Sequence, residues 1–176
     1  MARRQTGGIQ GGYVLLVGDS NSGQSALIIG AGPIGLAVLL CLKAFGAKKI
    51  LISEIATLRK AQAEKFGVDA VLDPTQVDVV KKAQELVDGI GPHVAFDCSG
   101  LQITQTTAIK AIRARGVAVN IALIEKSISF NPSDFLTGEK KYVGSSCYTP
   151  EEYAEVIEAV ASGTLPLVFP SDGREN

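Results

Sequence analysis

The stretch Ser25–Leu40, SALIIGAGPIGLAVLL, joins two apolar runs through three glycines in the spacing G-x-G-x-x-G. The first run predicts a strand and the second a helix, so the glycines fall at a strand-to-helix turn. In a dinucleotide-binding turn, Gly30 permits a tight exit from the strand, Gly32 lets the backbone approach a pyrophosphate, and Gly35 allows close helix–strand packing. Pro33 suits the first helical turn, whose free N–H groups would face the phosphates. The spacing alone also fits a merely tight glycine-rich connection.

An acidic residue follows the second predicted strand at the distance that nucleotide binding requires. The strand KKILIS leads into Glu54, 19 positions after Gly35. A carboxylate there can accept hydrogen bonds from the hydroxyls of an adenosine ribose and would repel a 2′-phosphate, which favours NAD over NADP. Arg59 could pack over the adenosine, or could attract a 2′-phosphate and weaken that preference. The alternatives are a solvated carboxylate at a strand end and a surface arginine on a helix.

From Ser25 onward, apolar runs rich in β-branched residues alternate with segments of helical period. Apolar strands separated by helices predict a parallel sheet that is covered on both faces. The predicted strands are Ala26–Ile29, Lys49–Ser53, Ala70–Leu72, Val94–Asp97, Val117–Ala122 and Lys141–Gly144. The predicted helices are Pro33–Phe45, Thr57–Phe66, Val79–Val87, Thr104–Arg113 and a last helix, capped by Thr149, that runs to about Ser162 and ends at Gly163.

Length and composition predict a single α/β domain. The chain has 176 residues, 46% hydrophobic and 20% charged, with a net charge of −1. This balance gives no electrostatic reason to expect a nucleic acid or an anionic membrane as partner, and no apolar run is long enough to span a bilayer. Three cysteines that lie far apart fit a reducing compartment, so we expect a cytoplasmic protein. We divide the chain into a leader (1–22) containing the strand-like Tyr13–Val17, a folded domain (23–163) and a tail (164–176).

The helix predicted at Pro33–Phe45 is apolar nearly all round, and Lys43 is its only charge. A helix of this kind needs cover on more than the side that faces the sheet. We therefore expect another segment, domain or subunit to pack against it.

A second glycine-containing loop offers a competing interpretation. Residues Gly18–Ser25, GDSNSGQS, come close to the phosphate-binding pattern G-x-x-x-x-G-K-[ST], but Gln24 stands where the lysine belongs. A working phosphate loop must also lead directly into a helix, whereas Ala26–Ile29 is β-prone. A nucleotide hydrolase is therefore the weaker alternative.

Several segments in order resemble the cofactor domain of the zinc-type medium-chain dehydrogenases, in the branch of the 2,3-butanediol, sorbitol and alcohol dehydrogenases. They are GQSALIIGAGPIGLAVLLCLKAFGA, ISEIATLRKAQAEKFGVDAVLDP, VAFDCSG and SFNPSDFLTGEKKYVGSSCYTPEEYAEVIEAVASG. The resemblance runs from Gly23 to Gly163 and implies an NAD-binding, doubly wound, six-stranded parallel sheet, the Rossmann fold. The first 22 residues and the tail do not share it.

The resemblance also implies roles for individual residues in binding the cofactor. Glu54 and Arg59 would hold the adenosine, while Cys98 with Ser99 and Ala122 with Leu123 would flank the nicotinamide. The residues that would hold the pyrophosphate are Gly30, Gly32, Pro33, Ile34 and Gly35.

The segment Ser127–Asn131, SISFN, has the apolar alternation of an edge strand. An edge strand is a template for pairing, and the resemblance implies that this one pairs with its copy across a two-fold axis in a homodimer. The alternative is a short exposed strand that a loop covers.

The residues needed for catalysis are not evident in this chain. A catalytic zinc requires about three converging ligands, whereas the sequence has one histidine, His93, and the scattered cysteines Cys41, Cys98 and Cys147. No tyrosine has a lysine four positions later, as a short-chain reductase would require. We therefore assign no catalytic residue and no metal ligand, and expect zinc only in full-length members of the family.

These observations predict the NAD(H)-binding domain of a zinc-dependent alcohol or polyol dehydrogenase, without its catalytic domain and inactive alone. The alternative is a degenerate dinucleotide-binding module that serves as a sensor or subunit without catalysis.

Overall fold

The structure, a computed structural model, describes residues 23–146 and 148–165. The leader with its strand-like Tyr13–Val17, the residue Cys147 and the tail beyond Leu165 lie outside the described residues.

Six strands and six helices alternate along the described part of the chain, and the strands form one parallel sheet. The sheet order is β3-β2-β1-β4-β5-β6, so the chain crosses over between β3 and β4 and builds the second half of the sheet outward from β1. This is the doubly wound Rossmann architecture that the sequence predicts. The elements are β1 (Ser25–Ile29), α1 (Pro33–Ala44), β2 (Lys49–Ser53), α2 (Thr57–Lys65), β3 (Ala70–Leu72), α3 (Val79–Leu86), β4 (Val94–Asp97), α4 (Gln102–Ala111), β5 (Val117–Asn120), α5 (Ser133–Leu136), β6 (Lys141–Gly144) and α6 (Pro150–Ala161).

The core lies in two layers because the central strands are buried on both faces. On one face, Ile28 and Phe96 pack with Leu39 of α1. On the other, Leu27 packs with Ile109 of α4. The five large apolar side chains of β1 and β4 are at most 3% exposed: Leu27, Ile28, Ile29, Val94 and Phe96. Burial on both faces explains why each strand carries a continuous apolar run instead of an alternating pattern.

Helix α1 has the uncovered apolar face that its composition indicates. Its buried side is formed by Val38, Leu39 and Leu42, while Ile34 on another side is 49% exposed. The single charge, Lys43, has a structural role: its Nζ donates to the carbonyl oxygens of Phe66 and Gly67, at 2.6 and 3.2 Å. A cation at these last carbonyls stabilises the end of α2.

The ends of the last helix also follow the sequence signals. The Thr149 hydroxyl accepts from the Glu152 N–H at 3.2 Å, and the Glu152 carboxylate accepts from the Thr149 N–H at 2.8 Å. This is the capping box that the residue pattern predicts. At the other end, Gly163 has a φ of 74°, the left-handed conformation that glycine adopts at low cost.

Three predicted boundaries were wrong by two residues, and one of them is the end of α4, which lies at Ala111 instead of Arg113. Strand β5 ends at Asn120 instead of Ala122: the N–H of Ile121 makes the closing bond to the carbonyl of Asp97, and the N–H of Ala122 bonds to the same oxygen instead of continuing the ladder. Helix α4 begins at Gln102 instead of Thr104, since the Thr104 hydroxyl accepts from the N–H of Leu101, the residue before the helix, at 3.0 Å.

Among the described residues, Ser127–Asn131 is not an edge strand of the sheet, and its pairing with a copy stays a prediction. The segment joins no ladder, and β6 occupies the sheet edge. The N–H and the carbonyl of Ser129 bond instead to the side-chain amide of Gln102 on α4, each at 2.8 Å. A strand requires another backbone beside it, and here its neighbour is a side chain on a helix.

No helix among the described residues has both the length and the apolar character needed to cross a membrane.

Candidate functional site

A cleft of about 1280 Å³ opens at the carboxyl ends of β1, β2 and β4. This is the point where the strand order reverses, between β1 and β4, and doubly wound sheets bind their ligands there. The cleft brings together residues that are far apart in sequence. Six of the eleven predicted site residues line it: Gly30, Gly32, Glu54, Arg59, Cys98 and Ser99.

The turn between β1 and α1 is built as tightly as its glycines suggest. Gly30 has a φ of 99°, and a Cβ placed there would lie 2.5 Å from the Ser99 hydroxyl. A Cβ on Gly35 would lie 1.9 Å from the carbonyl oxygen of Gly30. The helix therefore crosses directly over the end of the strand, and no side chain fits between them.

Gly32 differs from the other two glycines, because neither its backbone conformation nor the described residues around it require a glycine at this position. Its φ of −72° is accessible to any residue, and a Cβ there would meet no atom within 4 Å. It is the N-cap of α1, where no side chain caps the first turn and no acidic residue lies. The exposed backbone and the uncapped N–H groups of Ile34 and Gly35 leave room for an anion at the positive end of the helix.

Pro33, Ile34 and Gly35 form the first turn of α1 and do not line the cleft. The side chains of Pro33 and Ile34 point to the exposed side, and Gly35 is buried against the strand. Any contribution of these residues to phosphate binding is therefore through the backbone.

Glu54 is buried, and most of its acceptor capacity is used by the protein. One oxygen accepts from the N–H of Ala31 at 2.8 Å, and the other accepts from the N–H groups of Ile55 and Ala56 at 2.8 and 2.9 Å. Burial raises the pKa of Glu54, whereas these three hydrogen bonds and the charge of Arg59 lower it. The lowering effects together are larger, so the pKa lies below its ordinary value of 4.5. The carboxylate thus joins the glycine turn to the loop after β2 and keeps about one acceptor position for a ligand.

Arg59 lies on α2 and lines the cleft beside Glu54. Its Nη1 is 3.9 Å from Glu54 Oε2, and its side chain is 56% exposed. At this distance and exposure the ion pair is weak. The guanidinium is therefore free to turn toward a ligand, which preserves both interpretations of this residue.

Asp97, the last residue of β4, was not singled out by the sequence reasoning. It is fully buried, and its carboxylate accepts from the N–H groups of Ser99 and Gly100 at 2.9 and 3.2 Å. Burial raises its pKa above the ordinary value, although these bonds oppose the shift. The available signal was an aspartate two positions before Ser99 and three before Gly100, a spacing typical of a side chain that organises a turn.

Ala122 and Leu123 lie beside the cleft, against the turn that follows β4. A Cβ on Gly100 would be 2.8 Å from the carbonyl oxygen of Leu123 and 3.1 Å from the Cβ of Ala122. The Leu123 side chain is 94% exposed. The structure therefore places these two residues next to Cys98–Gly100, although they do not line the cleft themselves.

Among the described residues, Cys41, Cys98 and His93 are not brought together. Burial, then the charge of Asp97, raise the pKa of the Cys98 thiol to about 12, and burial raises that of Cys41. His93 lies at the amino ends of the strands, where its Nδ1 accepts from the N–H of Ser25 at 3.2 Å. Within residues 23–146 and 148–165, no three histidine, cysteine or acidic side chains converge as metal ligands would.

The competing phosphate loop ends in the wrong element. Ser25, its last residue, begins β1, and no helix follows until Pro33. Because a phosphate loop presents its anion to the start of a helix, the described end of Gly18–Ser25 gives the hydrolase alternative no support. The residues before Gly23 lie outside the described part of the chain.

Comparison with known proteins identifies relatives of this architecture. The sequence profile of the zinc-binding dehydrogenases matches residues 33–162. A probable diacetyl reductase that forms (R)-acetoin, from Saccharomyces cerevisiae, is 41% identical over 162 residues, which is 88% of this chain and 38% of that protein. The (R,R)-butanediol dehydrogenase of the same yeast is 37% identical over 161 residues, 88% of this chain and 41% of its own length.

A solved structure shows the same fold. The 2R,3R-butanediol dehydrogenase from Bacillus subtilis superposes with a TM-score of 0.76 at 29% identity, covering 85% of this chain and 44% of that one. The chain thus spans about two fifths of the length of the relatives that it matches.

Proposed function

Since this chain belongs to the zinc-binding dehydrogenase family, we propose that its Rossmann domain binds NAD(H) as the cofactor domain of an alcohol or polyol dehydrogenase. The observation that carries the proposal is the open space at Gly32. Neither its φ nor its protein surroundings require a glycine, yet it caps a helix N-terminus that opens into the cleft. The absence of a side chain there serves a ligand that approaches the backbone closely.

The residues around the cleft fit an extended dinucleotide. The backbone N–H groups at the start of α1 would hold the pyrophosphate. The remaining acceptor position of Glu54 would take one ribose hydroxyl of the adenosine, with Arg59 beside it. The loops Cys98–Leu101 and Ala122–Leu123 would form the wall beside the nicotinamide. When bound, NAD would accept the hydride that leaves the alcohol carbon.

For the substrate, we propose a small secondary alcohol of the 2,3-butanediol kind. Support comes from the names of the relatives, which are a butanediol dehydrogenase and a reductase that forms acetoin. The ligands of a catalytic zinc would come from outside the described residues, because no three candidate side chains converge within them. We therefore expect the 176-residue chain to bind cofactor without oxidising the alcohol.

Isothermal titration calorimetry with NADH tests the proposal directly. We expect saturable binding of one NADH per chain. No saturable binding at millimolar NADH would refute it. A parallel assay of NAD reduction with 2,3-butanediol tests the expected inactivity, and turnover would show that expectation to be wrong. The alternative of a sensor or subunit without catalysis also predicts NADH binding, so it differs only in whether a zinc-ligand domain accompanies this one.

The cofactor preference depends on Glu54, so we predict that Glu54→Gln narrows the difference between NADH and NADPH. The wild-type carboxylate stays charged, because its pKa is lowered, and would repel a 2′-phosphate near Arg59. Removing that charge should improve NADPH binding relative to NADH by about tenfold, the effect of ~1.4 kcal/mol. The measurement is a pair of titrations with the two cofactors.

Glu64→Gln, on the exposed part of α2, is the control for a change of net charge alone. If the ratio of the Kd for NADH to the Kd for NADPH is the same in Glu54→Gln as in the wild type, residues other than Glu54 determine the cofactor preference. Tighter binding of NADPH than NADH by the wild type would contradict the proposed preference for NAD.

We further propose a homodimer in which Ser127–Asn131 pairs with its copy. The peptide groups of Ser129 face Gln102, so those of Ile128 and Phe130 face the other way in an extended chain. None of the backbone–backbone hydrogen bonds among the described residues involves Ile128 or Phe130. Phe130 is itself held in place by Tyr142, at a ring-centroid distance of 5.0 Å. The segment thus offers a pre-positioned row of donors and acceptors.

Sedimentation velocity tests the dimer. We expect a dimer for the wild type and a shift to monomer for Ile128→Pro, because proline removes one donor of the pairing segment. Glu125→Pro, in the exposed loop before the segment, controls for the effect of a proline itself. A monomeric wild type, or a dimer that survives Ile128→Pro, would rule out pairing through this segment.

A further inference from the structure

We propose that Asp97 is a positioning residue for the nicotinamide end of the bound cofactor, because it ties together the two loops that form that end of the site. The inference rests on the proposed function and goes beyond it by assigning a role to a buried residue that lies outside the cleft.

The side chain of Asp97 holds the first loop, Cys98–Leu101. One carboxylate oxygen accepts from the N–H of Ser99 at 2.9 Å, and the other accepts from the N–H of Gly100 at 3.2 Å. The second oxygen also lies 3.2 Å from the hydroxyl of Thr104 on α4. Ser99, Leu101 and Thr104 all line the cleft. The shape of this wall is thus set by a carboxylate behind it.

The backbone of the same residue holds the second loop. The carbonyl oxygen of Asp97 accepts from the N–H groups of Ile121 and Ala122, at 3.0 and 3.3 Å. The first bond closes the ladder between β4 and β5, and the second holds the start of the loop that follows β5. One residue therefore anchors the turns that follow two neighbouring strands.

The two loops are in direct contact in front of Asp97. Gly100 has a φ of 72°, and a Cβ there would lie 2.8 Å from the carbonyl oxygen of Leu123. The second loop is also supported from behind by Asn120, whose side-chain N–H donates to the carbonyl of Ala122 at 3.1 Å. Gln105, fully buried on α4, holds the Asn120 amide at 2.7 Å. Displacing either loop would therefore move both.

The position of these loops assigns them to one end of a dinucleotide. Glu54 and Arg59 lie over β2, on one side of the start of α1, whereas Cys98, Ser99 and Leu101 lie over β4, on the other side. A dinucleotide with its pyrophosphate at α1 and its adenosine at Glu54 must extend its nicotinamide over β4. The loops that Asp97 contacts therefore lie beside the nicotinamide half of the dinucleotide and not beside the adenosine half.

The test compares NADH with ADP-ribose, which has the adenosine and the pyrophosphate but no nicotinamide. In Asp97→Asn, an amide N–H₂ replaces one acceptor oxygen and faces a backbone donor, so the first loop must rearrange. We expect the Kd for NADH to rise by about tenfold or more, while the Kd for ADP-ribose stays within about twofold. We also expect the fluorescence enhancement of bound NADH, which reports the surroundings of the nicotinamide, to decrease.

The matched control is Asp69→Asn. The Asp69 carboxylate also accepts a backbone N–H, that of Ile50 at 2.6 Å, but at the amino ends of the strands. Both affinities should be unchanged in this variant. If Asp97→Asn does not fold, Thr104→Val removes, at nearly constant shape, the hydroxyl that contacts this carboxylate and accepts from the N–H of Leu101. Both contacts belong to the first loop, so this variant should show the same selective loss to a smaller degree.

The possible outcomes separate the two proposals. A loss of affinity confined to NADH supports the role of Asp97. An equal loss for both ligands, no loss for either, or a wild type that binds both ligands equally well overturns it while leaving dinucleotide binding intact. A wild type that binds neither ligand overturns the proposed function and this inference together.

Discussion

Replacing Gly32 by valine is expected to lower the affinity for NADH by at least about 100-fold, a loss of ~2.7 kcal/mol, while the domain stays folded. The new side chain would project from the N-cap of α1 into the space where the phosphates must approach the backbone. The fold can accommodate this side chain, because the φ of Gly32 is −72° and no protein atom lies within 4 Å of the added Cβ. We expect a stability change of at most ~1 kcal/mol, since valine is a poorer N-cap than glycine.

Calorimetry with NADH and a thermal melt of the same samples check this prediction. Gly144→Val is the matched control: a Cβ on Gly144, at the end of β6, also meets nothing within 4 Å, but the site does not include it. It should keep full affinity. NADH binding by Gly32→Val at wild-type strength would mean that the ligand does not contact this turn.

The second large effect is on stability, and it comes from the glycine three positions later. Gly35→Ala places a methyl group 1.9 Å from the carbonyl oxygen of Gly30 and 3.0 Å from its carbonyl carbon. These are backbone atoms at the end of the central strand, so they cannot turn aside as a flexible side chain would. Helix α1 must move off the sheet, and we expect a loss of ~3 kcal/mol in the free energy of unfolding.

Urea unfolding followed by circular dichroism measures this loss. Gly144→Ala is the control, since the same methyl group there has free space, and its unfolding midpoint should match the wild type. A Gly35→Ala midpoint equal to that of the control would show that α1 does not depend on this contact. Together, the two variants separate the glycine that the ligand needs from the glycine that the fold needs.

Most of the fold could be predicted from the sequence because its signals are local. Continuous apolar runs at β1 and β4 reflect burial on both faces, and they predict a parallel sheet. The helix caps are equally local, as the Thr149–Glu152 capping box shows. One boundary that was wrong involves a distant group: at the end of β5, the N–H groups of Ile121 and Ala122 both bond to the carbonyl of Asp97, which no neighbouring residue could have indicated.

The sequence predicted residues that line the candidate site, but it did not predict what each of them contacts. Glu54 was predicted as a ligand for ribose, and the structure shows that most of its acceptors bind the backbone of the glycine turn and of the next loop. Asp97 went unnoticed because its partners Ser99, Ile121 and Ala122 become neighbours only when β5 lies beside β4. The segment Ser127–Asn131 was predicted as an edge strand from its alternation, but none of the described strands lies beside it.

The sequence by itself therefore determined which segments are strands and helices, where the glycine turn lies, and which family the chain resembles. These depend on spacing and burial pattern along a few neighbouring residues. The tertiary structure alone decided that Gly35 meets the carbonyl of Gly30 while Gly32 has free space around it, that Glu54 braces the turn, and that Asp97 contacts two loops. Each of these is a contact between residues that the order of strands brings together, and hydrogen bonds and steric clashes act only over a few ångströms in space.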